Sequence, residues 1–216
     1  MPHLSFTLMA IVSLAGNPLP SHAPTTAGPV RSAALCAARA VDVPGVESSD
    51  PRWRAEHLLV VRKAARTVQV FSSGTAVTGT GIDQKACYRV GLGFEPEGHK
   101  TREGDGRTPE GWYTTSDKPW SSFHAAIAVH YPNPKDSAAG LGNGHIDPST
   151  HSSIASAHQS GRKPPQTTAL GGEILLHGGG SATDWTLGCI ALENADIDDL
   201  RSHLPKSMKV HIRILP

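Results

Sequence analysis

The 216-residue chain is short of charge: 20 Lys and Arg stand against 19 Asp and Glu, leaving +1 with histidine neutral, and no basic run exceeds two residues. That excludes the basic stripe with which nucleic-acid binders neutralise phosphates, so no nucleic-acid partner is expected. Aromatic residues make up only 5%. No apolar stretch approaches the roughly 18 residues of a membrane-spanning helix, so the processed chain is expected to be soluble, with no stable membrane anchor. Heptads and internal repeats are absent, and Gly178-Gly179-Gly180 lacks the Gly-Lys-Ser/Thr of a phosphate loop. Glycine (22) and proline (17) are frequent, yet fall short of a disordered or collagen-like composition.

Cysteine is scarce and odd in number, at positions 36, 87 and 189. In an exported chain an odd count leaves one thiol free for chemistry. If that thiol is Cys189, Cys36 and Cys87 can pair, closing a loop of about fifty residues that stabilises by roughly 4 kcal/mol; Cys87 as a small buried hydrophobe is the alternative. Export itself is indicated by the N-terminus. The first thirty residues contain no Lys, Arg, Asp or Glu, and residues 4–14 (LSFTLMAIVSL) form an apolar run of secretory length. Residues 1–27 are therefore expected to be a signal peptide, cleaved after Ala23 or Ala27. Leu35 occupies the place that lipoprotein processing reserves for a small residue, so Cys36 is not expected to carry lipid.

Residues 28–56 are rich in Ala, Pro, Gly, Ser and Thr without a sustained period and are expected to form a flexible tether. From residue 57 the pattern is of short strands. Leu58-Leu59-Val60-Val61 and Thr67-Val68-Gln69-Val70-Phe71 read as a hairpin, followed by runs at 87–93, 111–115, 125–131, 173–177 and 209–215 between Gly and Pro punctuation. This predicts a mainly β domain over 57–216, sandwich-like or barrel-like. One short helix is expected after Asn194, which would cap a turn bearing Asp196, with Ile197, Leu200 and Leu204 at helical spacing. Residues 133–172, polar and Gly/Ser/Asn/His-rich, are expected to be an irregular insertion or lid.

The chemistry concentrates where Leu176-His177-Gly178 ends a strand and Thr186-Leu187-Gly188-Cys189 leads toward that helix, placing His177 twelve residues before Cys189. A thiol is only slightly ionised at neutral pH, and a neighbouring imidazole or helix terminus raises its reactivity. From the residues alone two readings stay open, a Cys/His acyl-transfer site or a buried structural Cys beside a surface His. His145, Asp147, His151 and His158 are of zinc-ligating type but fit no ligand spacing, so no metal is expected.

Thr186-x-Gly188-Cys189-Ile190-Ala191-x-x-Asn194, preceded by Ile174-Leu175-Leu176-His177-Gly178, resembles the active-site signature of the L,D-transpeptidase catalytic domain (YkuD) family. Gly104-Asp105-Gly106-Arg107-Thr108-Pro109-Glu110-Gly111 and His130-Tyr131-Pro132-Asn133 resemble its YafK-like branch, and the likeness spans about 57–215. It implies an enzyme acting on peptidoglycan stem peptides, as donor and acceptor, in the periplasm or at the cell wall, with a wall-linked lipoprotein as a further candidate partner. Cys189 would be the nucleophile, His177 the acid and base, the Gly188 and Cys189 N–H groups the oxyanion donors, and the Gly178 carbonyl the orienter of the imidazole. No cofactor is implied. Many relatives carry His at position 187 and Arg at 191, where this chain has Leu187 and Ala191. Arg107, with Lys100 or Arg102 as alternatives, is then expected to grip the anionic peptide. Asp105, Thr186 and Trp185 are further substrate-binding candidates, and Trp112 a cleft wall or core residue. Hydrolysis of the thioester or of a protein–peptidoglycan amide, and a non-catalytic wall-binding module, are the alternatives.

Overall fold

The computed structural model describes residues 35–216; the expected signal peptide lies outside them. The hairpin expected at the start of the domain is present as β1 (Leu58–Arg62) and β2 (Thr67–Ser72), paired Leu58 with Phe71 through Arg62 with Thr67. β3 (Thr75–Ala76), β4 (Cys87–Arg89), β5 (Gly111–Asp117), β6 (Ala126–Val129), β7 (Leu175–Gly178), β8 (Ile190–Leu192) and β9 (His211–Leu215) complete a mainly β, curled half-barrel. Its order is β3-β2-β1-β9-β5-β6-β7-β8, with β4 also on β2. Only the β1–β9 and β7–β8 pairings are parallel among the named strands. Alternation sends Leu59, Val61, Tyr113, Ile127, Val129, Leu176, Ile190, Ile212 and Ile214 to one face, the main core.

β1 is apolar at four successive positions because both its faces are covered. The second cover comes from the segment read as a tether, and that reading is corrected for residues 35–56. Ala40, Val43 and Trp53 are buried against Leu58, Val60, Phe71 and Leu215. Ala37 pairs its N–H and carbonyl with the Gln69 amide at 3.0 and 2.8 Å, and Cys36 is disulfide-bonded to Cys87. Turn-forming residues obscured this packing in the sequence, since a few anchors hold the segment without any period.

The irregular insertion is also corrected, and with it the single helix. Residues 133–172 contain α1 (Pro134–Gly142) and α2 (Pro148–Gln159), so with α3 (Asn194–Ser202) there are three helices among the described residues. Asn133 and Asp136 form a capping box on α1, Asp147 caps α2, and both helices start with proline, the residue best suited to a first turn. Ile154 and Leu170 anchor the pair in the core. So few buried positions left no visible helical period. In α3, Ile197 and Leu200 are buried as expected, but Glu193 is the flanking residue and Asn194 begins the helix.

Candidate active site

Cys189 precedes β8 and its register places it diagonally from His177 on β7. Leu176 pairs with Ile190 and His177 with Ala191, so Cys189 and His177 share one face of two adjacent parallel strands, two residues out of step. Ala126, Ala128 and Leu175 lie on the same face and pack against Cys189.

The turn before the thiol is fixed by Gly188 and Thr186. Gly188 sits at φ +132°, and a Cβ there would lie 2.7 Å from the Arg107 carbonyl oxygen, so only glycine fits. The Thr186 hydroxyl donates to the Cys189 carbonyl at 2.8 Å and accepts from the Gly188 N–H at 3.1 Å. Thr186, almost wholly buried, shapes the turn through these bonds. The Gly188 N–H is taken by the Thr186 hydroxyl, whereas the Cys189 N–H has no acceptor among the described residues.

His177 is 1% exposed. Its Nδ1 lies 2.7 Å from the Gly178 carbonyl; a carbonyl only accepts, so Nδ1 carries the proton and Nε2 keeps its lone pair. Nε2 is buried without a partner. Phe123 stacks on the ring at 3.9 Å between centroids, and Trp185 meets it edge-on at 5.7 Å. Burial holds the imidazole pKa below its ordinary value, against the smaller opposing effect of the Gly178 carbonyl. Burial pushes the Cys189 thiol up, opposed by the Leu175 N–H and the nearby Lys118 charge. The resting pair is a neutral thiol and a neutral imidazole. The thiol points at the Glu173 carbonyl, 3.5 Å away, and no thiol–imidazole hydrogen bond is present among the described residues; such contacts tighten when substrate binds.

The expected grip on the peptide is rearranged. Asp105 accepts from Lys100 Nζ at 2.9 Å and from the Thr101, Arg102 and Arg107 amides, so it organises its own loop and has no capacity left for substrate. Lys100, 2% exposed, is consumed in that pair. Arg107 contributes its carbonyl beneath Gly188, while its side chain lies toward Gly98. Trp112 is on β5, away from His177. Of the insertion residues, His151 contacts the Ser137 hydroxyl, His158 the Pro132 carbonyl, and Asp147 caps α2.

Sequence reasoning missed the charged group beside the thiol. Glu173 adopts a positive φ of 51° and is ion-paired to Lys118 and, at 3.0 Å, to Lys163. It also missed Phe123, which comes from the loop before β6. Nothing local marks these residues, because chain segments from 118 to 173 meet only in the fold. Trp185 and Phe123, which flank the His177 ring, and Leu187, two residues before Cys189, are exposed and give the site an aromatic, apolar rim.

The family model for the L,D-transpeptidase catalytic domain (YkuD) matches residues 56–212. The chain belongs to this family. Among solved structures, the L,D-transpeptidase-like domain is similar to the helical cell shape determining protein Pgp2 from Campylobacter jejuni, at 22% identity and TM-score 0.49, over 73% of this chain and 46% of that one. Bd1075 from Bdellovibrio bacteriovorus matches at 22% and 0.44, over 74% and 48%. L,D-transpeptidase 3 from Mycobacterium tuberculosis, with a faropenem-derived adduct, matches at 12% and 0.40, over 74% and 60%. The chain thus spans about half the length of the first two. No curated protein matches it.

Proposed function

We propose that this YkuD-family chain is an exported L,D-transpeptidase, closest to the YafK-like branch, acting on peptidoglycan stem peptides through a thioester. The observation that carries this is the free Cys189 one strand from His177, whose unprotonated Nε2 is buried with no partner of its own. Cys189 attacks the carbonyl at the L-centre of the third stem residue while Nε2 takes the thiol proton. The Cys189 N–H donates to the oxyanion. The imidazolium then protonates the leaving amine of the terminal D-Ala, and the thioester remains. His177 next deprotonates an acceptor amine, which displaces the thiolate and forms the new amide. Gly178 holds the ring throughout. The apolar rim of Phe123, Trp185 and Leu187 excludes water and so favours an amine over hydrolysis. The Cys36–Cys87 disulfide supports an oxidising compartment, the periplasm or the cell exterior.

A β-lactam is a strained amide that a competent nucleophile opens. Intact mass after carbapenem exposure is expected to show one adduct, lost in Cys189→Ala; an unmodified, folded, reduced wild type would favour the non-catalytic wall-binding reading. Incubation with muropeptides then separates acceptors. Cross-linked dimers are expected, whereas trimmed monomers alone would make the enzyme an L,D-carboxypeptidase, and release of a wall-linked lipoprotein an amide hydrolase.

A further inference from the structure

A cavity of about 760 Å³ opens where β5 and β9 face α1, lined by Trp112, Arg52, Arg213, His211, Glu110 and Asp136 among others. Its acids are already committed. Glu110 is ion-paired to the buried Lys63 at 2.7 Å, and Asp136 accepts from the Tyr113 hydroxyl and the Asn133 amide. Its cations are not balanced in the same way. Arg52 lies 4.2 Å from the Trp112 ring and is held by Asp50. Arg213 lies 5.7 Å from the same ring, half-buried, with no hydrogen-bond acceptor at its guanidinium among the described residues. Burial, and next the Arg52 charge, depress the pKa values of both Arg213 and His211, opposed by Glu47, Tyr113 and Asp50 at Arg213 and by Asp50 at His211. Two arginines brought together around one indole repel each other, and a bound carboxylate would give Arg213 the direct partner that Glu47 and Asp50 do not supply.

The cavity shares a sheet face with the nucleophile. Trp112 pairs with Arg213, Ser116 with Ala128, and Ala128 with Leu175 beside Cys189, so all of these point the same way. Three strand steps and four residues separate Cys189 from Trp112, on the order of 20 Å, about the length of six extended residues.

We propose that this cavity is a second binding site, for a carboxylate-bearing peptide, with Arg213 receiving the carboxylate and Trp112 walling its aliphatic part. That the peptide is a stem peptide of the wall polymer rests on the function proposed above; the anion site does not. The planar guanidinium suits a carboxylate bidentately, and loss of such a charge-assisted pair is expected to weaken binding at least tenfold.

The test uses the wild-type chain. Phenylglyoxal modification of Arg213, followed by peptide mapping, is expected to slow at least tenfold with saturating synthetic stem tetrapeptide and to be unaffected by the same peptide with every carboxyl amidated. Unslowed modification, or equal protection by the amidated peptide, overturns the proposal. In a Cys189→Ala background, calorimetry is expected to give two tetrapeptide sites, and Arg213→Gln one. Two sites surviving Arg213→Gln also overturns it. Carbapenem acylation in parallel keeps the two readings apart: acylation without Arg213 protection sinks only this site, and Arg213 protection without acylation sinks only the transpeptidase.

Discussion

Neither Cys189 nor His177 is charged at rest, and that sets the pH behaviour of the site. On the proposed mechanism, acylation needs neutral His177, whose pKa lies below its ordinary value of about 6.5 because the ring is buried. The acid limb of the carbapenem acylation rate is therefore expected below pH 6.5, with the rate maintained on the neutral side. With thiol ionisation pushed upward, His177→Gln should lose about 10²–10⁴-fold at pH 7 and recover as pH rises toward the thiol pKa; a flat profile in that variant would remove His177 as base. Thr186→Val keeps the shape of the side chain but strips a partner from the Gly188 N–H and the Cys189 carbonyl. Urea unfolding should show a loss of about 1–3 kcal/mol. Cys189, His177 and Gly178 stood out in the sequence because two short motifs twelve residues apart hold them, and the pairing of β7 with β8 brings them together. Lys118, Glu173 and Phe123 did not, since folding alone brings them beside the thiol.

At the scale of elements, legibility followed how much each one buries. β1 declares itself by a continuous apolar run, β2 by alternation and α3 by helical spacing, whereas α1 and α2 bury little and are specified by their caps. Asn133 carries two jobs, accepting from the Asp136 amide at 2.9 Å and donating to the Trp112 carbonyl at 3.1 Å. Asn133→Ala should then cost about 1–2 kcal/mol by chemical denaturation, with the loss largest in hydrogen-exchange protection of α1. A uniform loss across the sheet would mean that the cap is dispensable and that Ile154 and Leu170 alone hold the insertion.

For the molecule as a whole, the segment at 35–56 is part of the domain, anchored by Ala40, Val43 and Trp53 and tied down by the Cys36–Cys87 bond. The bond joins that segment to β4, which lies against β2 and whose chain runs on into Gly91, hydrogen-bonded in both directions to Ala191 of β8. It joins residues 51 apart, and closing a loop of that size stabilises by about 4 kcal/mol through the unfolded chain's lost entropy. In a domain of this length that corresponds to a melting temperature lower by about 8–16 °C in Cys36→Ser/Cys87→Ser. Because the cross-link acts mainly on the unfolded state and the Gly91–Ala191 bridge does not depend on it, the variant's carbapenem acylation rate below its melting point should match the wild type. A reduced rate would instead mean that the 35–56 cover, through β1 and β9, sets the curvature of the sheet on which Cys189 and His177 meet.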